Sequence, residues 1–292
     1  MTASPTPVPP DPGLFGPDSV TWRVHSDPIL WIGGLRALLL QTLHPVAMAG
    51  VSQHSSFRAD PWGRLVRTAS YIGMTTFGTT DEAQAAGRTV RSVHRGLAGV
   101  EEVSGSAYTV EDPALLAWVH CCLVDSFLTT YRRAGGHLSN AEADGYVAEQ
   151  RRVAALVGLD EHAVPGDVTA LADFFTAVRP ELRLSKPALD ATWLILAPPM
   201  PLAVQLGTPA RFAWSGVAGL AFALLPRWAR RIYGLPGLPT TDLGATVGLR
   251  ALSLALRPLP VRYREGPHLR AARARLARPE SSVRRLRALP DL

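Results

Sequence analysis

Apolar residues recur mainly three and four positions apart along this chain, which is the spacing of one face of an α-helix. The alternation of apolar and polar residues that marks a half-buried strand is almost absent. Proline, glycine and helix-capping residues separate the apolar runs. The pattern predicts helices over residues 27–43, 45–51, 61–77, 81–100, 112–133, 139–158, 167–178, 186–197, 209–224, 226–233, 241–256 and 266–277. We therefore expect an all-α fold, a single globular domain of about ten helices.

Three regions differ in composition. Residues 1–20 are rich in proline and predict a disordered N-terminal segment. Residues 21–278 form the helical domain, and residues 279–292 form an arginine-rich C-terminal tail. A charged start followed by an apolar stretch is missing from the first residues, so no ordinary signal peptide is predicted and we expect a cytoplasmic protein.

The net charge of +6 comes from the end of the chain, where residues 262–292 carry nine arginines. Such a tail is typical of a solvated helical end, although it also suits an anionic lipid surface. We expect no nucleic-acid partner. The longest uncharged run, 191–210, is broken by three prolines and predicts no membrane span, which leaves a peripheral membrane contact open.

Motifs of several common site types are missing. The sequence has no glycine-rich phosphate loop, no His-Glu-x-x-His and no Gly-x-Ser-x-Gly. Its two cysteines, Cys121 and Cys122, are adjacent in an apolar run, which predicts buried thiols rather than a zinc site or a disulfide.

Two neighbouring helices carry the candidate chemistry. On helix 61–77, Arg64, Arg67, Thr68 and Tyr71 follow helical spacing and form one polar face. This face either contacts solvent or frames a pocket for an anionic cofactor. On helix 81–100, His94 borders the apolar stripe, where an imidazole either bonds to a neighbouring group or binds a metal ion.

The spacing within two motifs resembles that of the latex-clearing proteins, which are haem b rubber oxygenases. The segment Arg64-Leu-Val-Arg67-Thr68 is similar to their distal Arg-x-x-Lys-Thr motif, and Val90-Arg91-Ser-Val-His94 is similar to their proximal Val-Arg-x-x-His motif. Further motifs, among them Gly34-Leu-Arg36-Ala and His44-Pro45, extend the likeness to MpaB-like oxygenases over residues 22–277.

This resemblance implies a helical domain around a haem pocket, with haem b as cofactor and His94 as the metal ligand. The implied cofactor-binding residues are His94, Arg64, Arg67, Tyr71 and His120, and the implied catalytic residues are Arg64, Arg67, Thr68 and His44. His44 precedes a proline and His120 lies on an apolar helix, so capping and core packing are the alternative roles of these two residues.

The function that the resemblance implies is a haem-dependent oxygenase, an oxidoreductase that acts on dioxygen and an unknown apolar substrate, unsaturated or isoprenoid. The position of the family's distal lysine holds Arg67, which cannot deprotonate at ordinary pH. This difference favours the alternative of a non-catalytic haem-binding or haem-sensing protein. A third interpretation is a lipid-binding helical protein without haem. The sequence does not determine the oligomeric state.

Overall fold

The structure, a computed structural model, describes residues 9–277, apart from the side chains of residues 204–206. The α-helices of this part are α1 (Val20–His25), α2 (Leu30–Gln41), α3 (Pro45–His54), α4 (Pro61–Phe77), α5 (Thr80–His94), α6 (Pro113–Arg133), α7 (Asn140–Leu156), α8 (Val168–Val178), α9 (Lys186–Leu196), α10 (Leu202–Gly207), α11 (Ala210–Ala223), α12 (Arg227–Ile232), α13 (Pro239–Leu256), α14 (Val261–Arg264) and α15 (Pro267–Leu276). One antiparallel pair of strands, β1 (Ala98–Val100) and β2 (Ala107–Thr109), lies between α5 and α6, with Gly99 opposite Tyr108. The predicted all-α, single-domain fold is confirmed.

The helix boundaries agree with the capping residues in most places. Ser139 and Glu142 form the predicted capping box of α7, and Asp112 caps α6 in front of a proline. The predicted helix 81–100 is wrong at its C-terminal end, since α5 stops at His94. Gly96 has a φ of +73°, in the left-handed region where a helix cannot continue, and the chain then enters β1.

Residues 9–19 make specific contacts, in contrast to the predicted disordered segment. The Asp11 carboxylate accepts hydrogen bonds from the backbone N–H of Gly13 at 2.8 Å and of Thr80 at 2.7 Å. The guanidinium of Arg152 donates to the Leu14 carbonyl at 2.7 Å. This stretch is therefore attached to α5 and α7, while residues 1–8 and the predicted tail 279–292 lie outside the described residues.

Helices α2 and α6 pack against each other at the centre of the main core. Leu35, Leu39 and Leu40 of α2 are buried with Trp118 and Phe127 of α6. Helix α11 packs on α2, and α7, α8 and α13 complete the layer around the pair. Leu65 and Ile72 of α4 pack against this same core from the side.

One ion pair crosses between the two central helices. Arg36 of α2 is 2% exposed, and its Nη1 donates to Asp125 at 2.8 Å and to the Ser126 hydroxyl at 2.6 Å. Its Nε donates to the Leu224 carbonyl at 3.0 Å. The buried charge is thus paired and hydrogen-bonded, as a guanidinium in a core must be.

Within residues 9–277, α6 alone is long and apolar enough to cross a membrane by length and composition, and 67% of its most apolar stretch is buried inside the protein. Its cysteines are free and buried, and burial raises the pKa of Cys121 to about 12. The expectation of buried thiols is confirmed, and the thiol form of Cys121 predominates at neutral pH.

Close packing of α2 on α6 requires a glycine at position 33. A Cβ on Gly33 would lie 2.9 Å from the ring of Phe127 and 3.2 Å from the Ser126 carbonyl oxygen, whereas a Cβ on Gly34 would lie 3.9 Å from its nearest neighbour. We expect Gly33→Ala to lower the free energy of unfolding by about 1–3 kcal/mol through overpacking. The matched control, Gly34→Ala, should be neutral or stabilising by up to ~1 kcal/mol, because alanine favours helix. Urea denaturation followed by circular dichroism measures both, and equal stabilities would contradict this account.

Candidate functional site

Helix α4 begins at the Asp60-Pro61 pair, where the Asp60 carboxylate accepts from the Gly63 N–H at 2.8 Å. Arg64, Thr68 and Tyr71 lie along one flank of this helix and are half-buried. Arg67 lies on the same helical face, but its side chain is exposed and donates to the Asp60 carboxylate at 3.1 Å. Arg67 therefore has the solvent contact that the sequence left open for this face.

Arg64 carries the positive charge of this flank. Its Nη1 donates to the Ser55 hydroxyl at 2.7 Å, and no carboxylate among the described residues pairs with it. Burial lowers its pKa, with a smaller contribution from the charge of Arg67. Its remaining N–H groups are available to an anionic partner.

The Thr68 hydroxyl donates to the Arg64 carbonyl at 3.0 Å. Its hydrogen is therefore used within the helix, and only its lone pairs remain for another group.

Tyr71 presents a hydroxyl that is buried and has no hydrogen-bond partner among the described residues. Burial raises its pKa to about 12, against the opposing charge of Arg91. An unsatisfied buried hydroxyl costs about 1–3 kcal/mol, so such a group calls for a missing partner.

His94 is the last residue of α5, and its imidazole is half-buried. Its ring nitrogens make no hydrogen bond within residues 9–277. Burial lowers the pKa of His94, and the nearby Glu111 carboxylate opposes this shift. The neutral form, which is the form that binds metals, therefore predominates at neutral pH.

Helices α4 and α5 form a hairpin that carries these groups. The turn lies at Gly78 and Thr79, and the two helices pack against each other. At 1.5 Å per residue, Arg64 lies about 21 Å from the turn along α4 and His94 about 22 Å from it along α5. Arg91, one turn before His94, is close enough to influence Tyr71. Arg64 and His94 therefore lie towards the open end of the hairpin, whereas Tyr71 lies about 10 Å from the turn, near the middle of α4.

Three neighbours of this region were not assigned a role from the sequence. Ser55 holds Arg64, and Glu111 accepts a hydrogen bond from the Gly96 N–H at 3.2 Å beside His94. Arg91 donates to the Leu156 carbonyl of α7 and so anchors the last turn of α5. For Arg91, its place in the Val-Arg-x-x-His segment was the only feature of the sequence that indicated a role.

His44 lies elsewhere. It caps α3, where its Nδ1 accepts from the Ala47 N–H at 3.3 Å and its Nε2 lies 3.6 Å from Glu181. The ten residues of α3 put it about 15 Å along the helix axis from Ser55 and Arg64. The structure thus gives His44 the capping role that the sequence left open, and it does not bring His44 to the open end of the hairpin.

His120 is buried in α6 and makes neither a hydrogen bond nor a ring contact within the described part of the chain. Burial lowers its pKa to about 4. No contact connects it to Arg64 or His94. It is a second imidazole without a partner, which differs from the hydrogen-bonded core histidine that the alternative interpretation expected.

The buried His120 predicts a pH-dependent stability. Between pH 6.5 and about 4, residue 120 is protonated in the unfolded chain and neutral in the folded protein. The unfolded state then binds more protons than the folded state. The contribution of His120 to the free energy of unfolding therefore falls by about 1.4 kcal/mol per pH unit as the pH drops. We expect His120→Leu to remove this loss. Urea denaturation of the haem-free proteins measures the free energy of unfolding across this range. Below pH 6.5 this free energy should fall less steeply in the variant than in the parent protein, and parallel pH profiles would contradict the prediction.

No group of three or more His, Cys, Asp or Glu side chains within residues 9–277 is arranged to hold a metal ion. The α4–α5 hairpin instead offers one imidazole, one guanidinium and one phenol. This donor set fits a cofactor that carries its own metal and needs one axial ligand, an anion-binding group and a hydrogen-bond donor.

Similarity to known proteins gives the family of this chain. The chain is 27% identical over 207 residues to an uncharacterized protein of Mycobacterium bovis and, equally, to one of Mycobacterium tuberculosis, which covers 71% of this chain and 67% of each relative. No solved structure matches it. Residues 22–258 match the family described as "ER-bound oxygenase mpaB/B'/Rubber oxygenase, catalytic domain". This match covers most of the chain, which therefore belongs to the MpaB and rubber oxygenase catalytic-domain family.

Proposed function

We propose that this protein is a haem b-dependent oxygenase that acts on dioxygen and an apolar substrate, unsaturated or isoprenoid, with His94 as the iron ligand. The family supplies the oxygenase class. The observation that carries the haem proposal is the neutral, unpartnered imidazole of His94 at the end of α5, which packs against α4, the helix that carries the buried, unpartnered hydroxyl of Tyr71.

His94, Arg64 and Tyr71 each have a defined role in this proposal. His94 holds the cofactor through one ring nitrogen, and Glu111 is the nearby acceptor that can orient the other ring nitrogen. Arg64, held by Ser55, donates charge-assisted hydrogen bonds to a propionate. The Tyr71 hydroxyl would donate a hydrogen bond to a group bound beside α4. When bound, haem would supply the redox-active iron that dioxygen chemistry requires.

Side chains beside the start of α4 are suited to exclude water. The Trp62 ring lies 4.7 Å from that of Trp214 on α11, and its Nε1 donates to the Pro199 carbonyl at 2.9 Å. These contacts bring the apolar segment around α10 against the start of α4. We propose this apolar wall as the substrate side of the site.

The catalytic roles of Arg67, Thr68 and His44 and the cofactor-binding roles of Arg67 and His120 stay predictions from the family resemblance. Arg67 stands at the position of the family's distal lysine, but it is exposed and cannot deprotonate at ordinary pH. Both properties favour the alternative of a non-catalytic haem-binding or haem-sensing protein. Oxygen uptake with an unsaturated lipid separates the two, because a protein that only binds haem consumes none.

The peripheral membrane contact also stays a prediction. The side chains of Trp193, Leu202 and Phe212 are 62%, 69% and 79% exposed on α9, α10 and α11. An apolar surface of this kind is suited to lie against a membrane.

The absorption spectrum of protein expressed with a haem supply tests the iron ligand. We expect a Soret band that His94→Ala abolishes, since the imidazole is the only protein ligand in the proposal. His162→Ala is the matched control, because His162 is an exposed histidine of a 3₁₀ turn. A folded parent protein that takes up no haemin, or a Soret band unchanged in His94→Ala, would contradict the haem proposal.

Removal of single hydroxyls tests the role of Tyr71. In the haem-free protein, Tyr71→Phe should be neutral or stabilising by up to ~2 kcal/mol, because it removes an unsatisfied buried group. The haem-loaded variant should lose haem faster to apomyoglobin. The control is Tyr233→Phe, which removes a hydroxyl that donates to the Leu39 carbonyl at 2.7 Å, and should destabilise the protein without this effect on haem. If the haem-free Tyr71→Phe protein were less stable than the parent protein, this result would contradict the proposed role of the Tyr71 hydroxyl.

A further inference from the structure

A cavity of about 900 Å³ opens beside the central helices α2 and α6. Its walls come from α2, α6, α8 and the segment from α11 to α13, and it shares no residue with α4 or α5. The ionisable side chains that line it are five arginines and two aspartates: Arg36, Arg133, Arg179, Arg227, Arg250, Asp125 and Asp242.

Both carboxylates of the cavity are already paired. Asp125 accepts from Arg36 at 2.8 Å. Asp242 accepts from Arg227 at 2.5 Å and from the buried Arg230 at 2.6 Å. The other guanidiniums of the lining therefore have no carboxylate partner among residues 9–277.

These uncompensated guanidiniums belong to Arg133, Arg179 and Arg250. Arg133 is fixed in place, since its Nε donates to the Thr246 hydroxyl at 3.0 Å and its Nη2 donates to the Asp242 carbonyl at 2.6 Å. The guanidinium carbon of Arg179 lies 5.1 Å from the centre of the Trp228 ring. The cavity is thus electropositive. The guanidiniums of Arg133 and Arg179 are held by neutral groups, namely a hydroxyl, a backbone carbonyl and an aromatic ring.

Arg36 is built into the floor of the cavity. It is 2% exposed, and its Nε and Nη1 are bonded to protein groups. Its Nη2 has no partner within the described part of the chain, yet it is not among the atoms sealed from solvent. A nearly buried guanidinium therefore presents free N–H groups to the cavity.

The remaining lining is apolar. Phe175 is buried, Trp228 is half-buried, and Leu243 is 68% exposed beside the cavity. An apolar wall next to an electropositive floor favours a ligand with one anionic end and one apolar end.

We propose that this cavity binds an organic phosphate, with its phosphate on the guanidiniums of Arg36, Arg133 and Arg250 and its apolar group against Phe175, Trp228 and Leu243. A phosphate monoester carries about −1.5 to −2 charges at neutral pH. This charge suits Arg133 and Arg250, which have no carboxylate partner, together with the free N–H groups of Arg36, better than a single carboxylate does. Guanidiniums also match phosphate oxygens with paired hydrogen bonds. The inference does not depend on the proposed haem site.

Titration calorimetry of the full-length protein with octyl phosphate, octanoate and octanol tests the proposal. We expect octyl phosphate to bind at least about tenfold more tightly than the other two, since charge-assisted hydrogen bonds carry the affinity. Arms with inorganic phosphate and with phosphatidic acid vesicles distinguish a free phosphate and a lipid headgroup from a soluble ester. Octanol binding as tightly as octyl phosphate, or no binding of any phosphate, would overturn the proposal.

Variants locate the binding. Arg250→Gln changes an exposed side chain without an ion pair and should weaken octyl phosphate binding roughly tenfold, because it removes a contact to the phosphate. Arg179→Gln removes a charge of the lining that the phosphate does not contact, and should weaken binding by a smaller factor. Arg132→Gln removes the same charge from an exposed neighbour that does not line the cavity, and should leave binding unchanged. Circular dichroism confirms that the three variants fold. Equal affinities in all three would place the ligand elsewhere and refute the assignment.

Discussion

The contact between α2 and α6 is the constraint on which the rest of the structure depends. Gly33 lets the two backbones approach, and the ion pair between Arg36 and Asp125 sets their register across the core. A charge this deep inside a protein is tolerated only when its partner is correctly placed, so the pair selects one arrangement of the helices. Helix α11 packs directly on α2, and α4 contacts the same core through Leu65 and Ile72.

The orientation of α4 has a chemical consequence. Because Leu65 and Ile72 contact the main core, the flank that carries Arg64 and Tyr71 is half-buried. Most buried polar groups of folded proteins have partners, and groups without them concentrate where a ligand binds. The unpartnered Tyr71 hydroxyl and His94 imidazole fit that pattern, whereas His44 has contacts for both ring nitrogens.

The two candidate sites use the same cation in different surroundings. Arginine stays charged at any ordinary pH, so a guanidinium left without a carboxylate creates a lasting demand for an anion. Arg64 creates this demand beside the α4–α5 hairpin, and Arg133 creates it in the cavity that α6 lines. No residue of α4 or α5 lines that cavity, so each region can be changed by mutation without removing the other.

The sequence by itself determined the helical class, most helix starts and the family motifs, because periodicity, capping and short spacings are local properties. It also singled out Arg64, Tyr71 and His94. The tertiary structure decided that α5 ends at His94, that Arg67 faces solvent and that His44 caps α3 away from the hairpin. It alone assembled the arginines of the cavity. Those outcomes depend on which residues, distant in the sequence, bury a given polar side chain. A local sequence pattern holds no information about such long-range contacts.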